Sequence, residues 1–316
     1  MLPRAGSHGF PLPISNWRIG EKIGAGAYGE VHKAINADTG SIFAVKTLRI
    51  DGVSATSVDQ EIELLTTLSH PHVVRYLGCE LQPEKVCIFM EYLAGGSIYD
   101  IIKTYGPLPE PAIRNYLRQV VSGLAYIHDH AVIHRDLKPA NLLLSSSGEV
   151  KLSDFGCAKI AADGFTSTKS ILGTPAYMAP EAITGRCGMA SDLWSLGCTA
   201  LEMLTGHAPY SNMTFDHPLQ LLFHVAQGAR PEIPPTCSTE LKTFLEMCLT
   251  HDPAKRTTCQ ELLLCSYIAT TAVGGELPSL PRWMSVSDVL LHISPFLTSS
   301  EIGHLGRTCR VVFSPL

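Results

Sequence analysis

Three polar side chains with complementary chemistry lie close together in the segment VIHRDLKPANLLL, residues 132–144. Asp136, Lys138 and Asn141 are an acid, a cation and an amide, and a second acid, Asp154, follows in the segment SDFG. Phosphoryl transfer needs a base for the attacking hydroxyl, oxygen ligands for metal ions and a cation near the transferred group. These residue types therefore predict Asp136 as the base, Asn141 and Asp154 as ligands of Mg²⁺, and Lys138 as the cation.

A glycine-rich segment, IGAGAYGEV, contains Gly24, Gly26 and Gly29, whose missing Cβ atoms let backbone N–H groups approach phosphate oxygens. A dinucleotide-binding fold would place a helix after the glycines and an acid about twenty residues further on. Here the following residues read as a strand, and Lys46 stands near that distance. A glycine hairpin over a nucleotide triphosphate, with the lysine on the third strand, fits this pattern. The alternatives are a structural hairpin and a surface lysine.

Lys46 would need a carboxylate to hold it toward the phosphates, and a helix predicted at 56–68 offers Glu61 and Glu63. Glu61 shares a helical face with Leu65, whereas Glu63 points elsewhere. The spacing favours Glu61 as the partner of Lys46, and a solvated helix acid is the alternative.

The elements that must position these groups change character along the chain. Strand-like runs dominate the first part, and long helical segments follow the glycine pair at 95–96. This order predicts an α+β protein with a small β-rich lobe and a larger helical lobe. The predicted units are a tail at 1–16, a domain at 17–270 with lobes at 17–92 and 93–270, a linker at 271–284 and a last segment at 285–316.

Composition narrows the function classes. The 316 residues carry a net charge of −5 and are 45% hydrophobic, which indicates a globular protein and gives no sign of nucleic-acid binding. No apolar run reaches the roughly 18 residues of a membrane span, and the N-terminus lacks the apolar middle of a signal peptide. We therefore expect a cytoplasmic protein, with the nucleus not excluded. The ten cysteines form no CxxC pair and predict free thiols in a reducing compartment.

Taken in order, the motifs resemble the eukaryotic protein kinase family over residues 17–268. The matching segments are GxGxxGxV at 24–31, AVK at 44–46, HRDLKPAN at 134–141, DFG at 154–156 and APE at 179–181. The resemblance implies the two-lobed kinase fold, ATP and Mg²⁺ as cofactors, and an enzyme rather than an inactive copy, since no part needed for phosphoryl transfer is missing.

The resemblance also implies a nucleotide pocket and several supporting residues. Around the adenine it implies side chains above and below the ring, a gatekeeper at Met90 and backbone hydrogen bonds from the hinge. The residues that it implies for this pocket are Ile23, Val31, Ala44, Met90, Glu91, Leu93 and Leu143. It implies that Asp192 braces the catalytic loop and that Glu181 pairs with Arg256. We expect His134 to be a packed structural residue.

Lys138 together with Thr174 resembles the serine/threonine branch of the family. Family members that prefer basic substrates carry acids where this chain has Ser97 and Ala140, so no strong preference for basic residues is expected.

Within the family, the runs VDQEIELL, HPHVVRYLG, GGSIYD and KSILGTPAYMAPE resemble MAP kinase kinase kinases, which implies a MAP kinase kinase as substrate. That group often has a threonine directly before GTP, where this chain has Leu172. Regulation by phosphorylation is then predicted at Ser170 or a neighbour such as Thr168, with Arg135 and Lys159 binding the phosphate. Solvated loop residues are the alternative.

Residues 285–316 read as two short helices with apolar faces and are similar to the F-box, which docks on the adaptor subunit of cullin-based ubiquitin ligases. Ser285 and Val286 stand where an F-box usually has Leu-Pro. A helical hairpin packed on the large lobe is the alternative. The second function class is therefore a kinase-like scaffold linked to a ubiquitin ligase.

Overall fold

The two-lobed fold is confirmed by a computed structural model that describes residues 14–26, 29–49, 68–82, 85–155, 159–160, 165–167 and 173–269. An antiparallel sheet forms the small lobe, and helices dominate the large lobe. The sequence therefore predicted the fold class correctly.

The small lobe is a five-stranded sheet in the order β1-β2-β3-β5-β4. Its strands are β1 Trp17–Gly26, β2 Gly29–Asn36, β3 Ile42–Arg49, β4 Tyr76–Leu81 and β5 Lys85–Glu91. Phe43 and Val45 of β3 belong to a buried cluster in which Phe89 makes edge-on ring contacts with Trp17 and Phe43. Because side chains alternate across a strand, Lys46 lies on the opposite face from this cluster.

Contacts of this lobe extend beyond its strands. Ile14 packs against the aromatic cluster and the carbonyl of Asn16 accepts from the Ala37 N–H at 2.7 Å, so the residues directly before β1 also pack on this lobe. The strand β4 begins at residue 76. The preceding backbone instead pairs with the large lobe, since the Val74 N–H donates to the carbonyl of Leu152 at 2.9 Å.

The large lobe is built around a central buried helix. Its helices are α1 Ile98–Tyr105, α2 Glu110–Asp129, α3 Pro180–Ile183, α4 Met189–Thr205, α5 Pro218–Ala226, α6 Thr239–Cys248, α7 Cys259–Leu264 and α8 Ser266–Ala269. Helix α4 is buried nearly all round, as expected of a core helix. A Cβ on its Gly197 would lie 2.8 Å from the Cβ of Cys248, so this glycine permits the close approach of α6. None of the described helices is long and apolar enough to cross a bilayer.

Short strands carry the polar loops between α2 and α4. They pair as β6 with β9, β7 with β8 and β10 with β11; their bounds are β6 Val132–Ile133, β7 Leu142–Leu144, β8 Val150–Leu152, β9 Lys159–Ile160, β10 Phe165–Ser167 and β11 Arg186–Gly188. The apolar ends of the segment 132–144 are therefore strands. Described cysteines are free thiols, and most of them are buried, which agrees with the prediction.

A buried ion pair ties the segment before α4 to the end of the domain. Arg256 Nη1 lies 2.6 Å from Glu181 Oε1, and Arg256 also donates to the carbonyls of Thr250 and Ala190. The Arg256 side chain is fully buried and its guanidinium lies over the ring of Trp194. The predicted pairing of Glu181 with Arg256 is confirmed.

Replacing Glu181 with Gln is expected to lower the free energy of unfolding by about 3 kcal/mol, because the buried guanidinium keeps its charge but loses its counter-charge. Urea denaturation measures this change. The control is Lys242→Ala, which breaks an ion pair with Glu246 whose side chains are both more than half exposed and should cost less than about 1 kcal/mol. Equal losses in the two variants would contradict a structural role for the buried pair.

Candidate active site

A closed hydrogen-bond network surrounds Asp136. Lys138 Nζ lies 2.7 Å from Asp136 Oδ2 and donates to Thr174 Oγ1 at 2.7 Å, while the Thr174 hydroxyl donates to Asp136 Oδ1 at 2.9 Å. Lys138 and Thr174 therefore hold both oxygens of one carboxylate. Thr174 is 36 residues from Lys138 in sequence, so the fold brings this cluster together.

Asn141 completes the network and keeps one polar atom for other chemistry. Its Nδ2 donates to the carbonyl of Asp136 at 2.7 Å and to Asp136 Oδ2 at 3.0 Å. Both contacts use the amide nitrogen, so the Oδ1 atom of Asn141 is the one suited to a metal ion. The residue belongs to a short 3₁₀ turn, Pro139–Asn141, which positions this buried side chain beside the loop.

The second predicted Mg²⁺ ligand meets the lysine of β3. Lys46 Nζ lies 3.2 Å from Asp154 Oδ1, although the two residues are 108 positions apart. The lysine side chain is nearly buried, whereas the aspartate side chain is 44% exposed. Within the described residues, no group of three or more His, Cys, Asp or Glu side chains is placed to hold a metal. A divalent ion at Asn141 and Asp154 would thus need further oxygens from phosphate and water, which suits Mg²⁺.

Asp192 braces the backbone that precedes the base. Its carboxylate accepts from the N–H of His134 at 2.9 Å and of Arg135 at 2.8 Å, and the whole side chain is buried. Burial alone would raise the pKa of Asp192, but the hydrogen bonds that it accepts from His128 and from the Arg135 N–H outweigh burial and lower the pKa. Arg135 has φ of 71°, a left-handed conformation that a non-glycine residue adopts at a cost. The predicted brace is confirmed, and it holds a strained turn.

The two polar loops are also joined directly. His134 is fully buried, with Nε2 2.9 Å from the carbonyl of Ser153 and its ring packed beside Phe155. The N–H and the hydroxyl of Ser153 both donate to the carbonyl of Asn141. The base and the acid at 154 are therefore held on one rigid unit, and His134 is the packed residue that the sequence predicts.

The glycine segment is a hairpin, as predicted. Gly24 pairs with Val31 and Gly26 pairs with Gly29 across β1 and β2. A Cβ on Gly29 would lie 2.0 Å from the carbonyl oxygen of Thr47, so only glycine allows β2 to approach β3 at this point. The hairpin thereby comes close to the strand that carries the site lysine.

The predicted adenine residues lie on the sheet and at its junction with the large lobe. Ala44 is buried and pairs with Met90, and Leu143 bridges to Ser97. The Glu91 N–H donates to the carbonyl of Arg75 at 3.0 Å, so the Glu91 backbone can offer an adenine edge its carbonyl. Leu93 follows in the connection to α1, and Ile23 is an exposed residue of β1.

Sequence reasoning missed the ion pair that holds this hinge. Lys151 Nζ lies 2.7 Å from Glu91 Oε1, and the same oxygen accepts from the Arg75 N–H at 2.7 Å. Lys151 lies between the buried Val150 and Leu152 of β8, and a lysine inside such a short apolar strand was the available signal.

Several predicted residues lie outside the described part of the chain. These are Glu61, Thr168, Ser170 and the segment 285–316, together with the side chain of Lys159, whose backbone forms β9. Their roles stay predictions. Arg135 is described, and its Nε is buried with no hydrogen-bond partner among the described residues.

Comparison of the sequence with known protein families shows the family to which the chain belongs. The sequence profile of the family described as "Protein kinase domain" matches residues 17–268. The chain therefore belongs to the protein kinase family.

Similar proteins indicate which branch of the kinase family the domain resembles. The chain is 38% identical to Mitogen-activated protein kinase kinase kinase ANP1 of Arabidopsis thaliana over 96% of this chain and 48% of that protein. It is 39% identical to Mitogen-activated protein kinase kinase kinase 3 of the same plant over 86% and 45%, and 40% identical to Mitogen-activated protein kinase kinase kinase 4 of Homo sapiens over 80% and 16%. The chain thus spans about half the length of the plant relatives, and its domain resembles those of serine/threonine kinases of this group.

Gly173→Ala tests the contact between Thr174 and the catalytic loop. Gly173 has φ of 116°, and an added Cβ would lie 2.9 Å from the carbonyl oxygen of Arg135. We expect kcat for phosphate transfer to fall about tenfold or more, because the loop and Thr174 must separate. Gly40→Ala is the control, since Gly40 has φ of 74° and open space around it. Equal kcat in the two variants would contradict the positioning role of this contact.

Proposed function

We propose that the protein is an active kinase that transfers the γ-phosphate of ATP to serine or threonine hydroxyls of a protein. The observation that carries the proposal is the network in which Lys138, Thr174 and Asn141 hold the carboxylate of Asp136. A scaffold would need no such arrangement of groups around one acid. The membership of the chain in the protein kinase family supports the same function.

Each of the three side chains has its own role in the proposed reaction. Asp136 accepts the proton of the incoming hydroxyl, because its oxygens are fixed and face the shared cluster. Lys138 offsets the negative charge that develops on the transferred group. Thr174 holds the lysine and the base at one distance, so that a short serine or threonine hydroxyl can reach the base.

The nucleotide is proposed to lie between the lobes. When bound, MgATP supplies the phosphoryl group and the metal that neutralises its charge. Lys46 would contact the phosphates, Asn141 and Asp154 would offer oxygens to Mg²⁺, and Glu61 is proposed to hold Lys46. The glycine hairpin would cover the phosphates.

The adenine is proposed to bind against the small-lobe sheet. Ala44, Val31 and Leu143 would sandwich the ring, Met90 would close the back of the pocket, and the Glu91 carbonyl and Leu93 N–H would bind the edge. The ion pair of Glu91 with Lys151 supports this placement, because it keeps the hinge backbone in register with the large lobe.

We propose that the substrate is a MAP kinase kinase, so that the protein acts at the top of a MAP kinase cascade. The support comes from relatives whose names state that they act on MAP kinase kinases. Phosphorylation of Ser170, or of Thr168, is proposed as the switch. The Nε of Arg135 supports this, because it is buried without a hydrogen-bond partner among the described residues and a phosphate would supply an acceptor.

A second proposal concerns residues 285–316. The apolar helical faces that the sequence predicts there favour docking on the adaptor of a cullin-based ubiquitin ligase, which would add a scaffold role to the kinase. A cytoplasmic location is proposed with it.

A transfer assay tests the enzyme. Wild type with radiolabelled ATP is expected to phosphorylate a catalytically inactive MAP kinase kinase, and Asp136→Asn should lower kcat about 10²-fold or more by removing the base. Asp129→Asn is the control, since Asp129 is exposed at the end of α2. Transfer to a general protein substrate but not to the MAP kinase kinase would contradict the substrate class alone. Equal rates for the two variants would contradict the mechanism.

Co-purification tests the tail. The full chain is expected to retain the purified ligase adaptor, and replacing Leu290 and Ile293 with Asp should abolish retention. Leu264→Asp is the control, because Leu264 is 82% exposed on α7 and outside the segment. Retention by both variants, or by neither wild type nor control, would contradict docking through this segment.

A further inference from the structure

We propose that Cys259 is a positioning residue for the catalytic loop, acting through His128 and Asp192. The proposal rests on the kinase activity for its functional consequence, but its geometry stands apart from that activity. The three side chains come from three helices, α7, α2 and α4, and meet beneath the backbone that carries the base.

The contacts form a continuous buried chain. Cys259 Sγ lies 3.6 Å from His128 Nδ1, and His128 Nε2 lies 2.8 Å from Asp192 Oδ2. Cys259 is 1% exposed, His128 is 8% exposed and Asp192 is fully buried, so water cannot easily replace any of the partners. Each hydrogen bond in such a setting sets the orientation of the next.

Burial of the thiol indicates which atoms of Cys259 and His128 carry the protons of these hydrogen bonds. Burial raises the pKa of the Cys259 thiol well above its ordinary range, so the thiol stays protonated and donates to Nδ1 of His128. Nδ1 is then an acceptor, and the ring proton is carried by Nε2, which donates to Asp192. Asp192, whose carboxylate can only accept, keeps the ring proton on Nε2, and the thiol gives Nδ1 a partner and fixes the direction of the ring.

The orientation of the His128 ring matters because Asp192 also accepts from other donors. Its Oδ2 accepts from both His128 and the His134 N–H, and its Oδ1 accepts from the Arg135 N–H. Arg135 is strained and is the neighbour of Asp136. Without the thiol, Nδ1 would be buried without this partner, and a turn of the ring would weaken the Nε2 hydrogen bond that holds Asp192 against the loop.

The start of α7 fixes where the thiol lies. Thr258 is the N-cap of the helix: its side chain accepts from the Glu261 N–H, and the Glu261 carboxylate accepts from the Thr258 N–H at 2.8 Å. This capping box sets the first helical residue, Cys259, in one orientation toward α2. The thiol is therefore held in place from its own helix and does not merely fill space.

Three variants of the full-length chain test the relay. Cys259→Ala is expected to lower kcat about fivefold with KM for ATP unchanged, the size expected from the loss of one buried hydrogen bond. Cys259→Ser should restore kcat to within about twofold of wild type, because a hydroxyl also donates. Cys248→Ala is the matched control: this buried thiol on α6 should cost stability on removal but leave kcat within about twofold.

A spectroscopic readout separates the relay from packing. In protein labelled with ¹⁵N at histidine and arginine, wild type, Cys259→Ser and Cys259→Ala should all show the Nε2-protonated tautomer of His128, and Cys259→Ala alone should shift the Nδ1 signal of His128 together with the amide signals of His134 and Arg135. The proposal is overturned if wild-type His128 carries its proton on Nδ1, or if Cys259→Ala matches Cys248→Ala in kcat. A wild-type protein without activity that shows the expected tautomer and amide shifts would contradict the proposed function and support the relay.

Discussion

The buried carboxylate of Asp192 is the constraint on which the candidate site depends. A charge without water must be satisfied by hydrogen bonds, and two of its donors are backbone N–H groups of a strained turn. The turn and the acid stabilise each other: the turn satisfies the acid, and the acid offsets the cost of the turn. Asp136 follows directly, so its direction is set by a residue 57 positions away from Arg135.

A few polar contacts also join the two lobes. The Val74 N–H binds β8, Lys151 of β8 pairs with Glu91 of the hinge, and Lys46 of the sheet reaches Asp154. One short hairpin, β7 with β8, therefore carries the connections to the sheet and the Asn141 end of the catalytic loop. A nucleotide bound at the hinge would be aligned with the base because both rest on this hairpin.

Much of the site was predictable because its groups are local in sequence. Asp136, Lys138 and Asn141 lie within one loop, so their types and spacing indicated shared chemistry. The hydrogen bond of Lys138 to Thr174, the pair of Lys151 with Glu91 and the approach of Cys259 to His128 were not predictable in that way. Each joins residues far apart in sequence, and no short-range pattern reports on such a contact. The pairing of the backbone before β4 with the other lobe was not predictable for the same reason.

The sequence by itself determined the order of the elements, the lobe composition and the residue types available for phosphoryl transfer, because these follow from periodicity, glycine positions and local spacing. Only the tertiary structure decided which of those groups meet, which proton donors face Asp192 and which atoms of Asn141 and Asp154 contact Asp136 and Lys46. The physical reason is that hydrogen bonds and ion pairs depend on distances of about 3 Å between atoms, and such distances between remote residues arise only when the helices and strands pack.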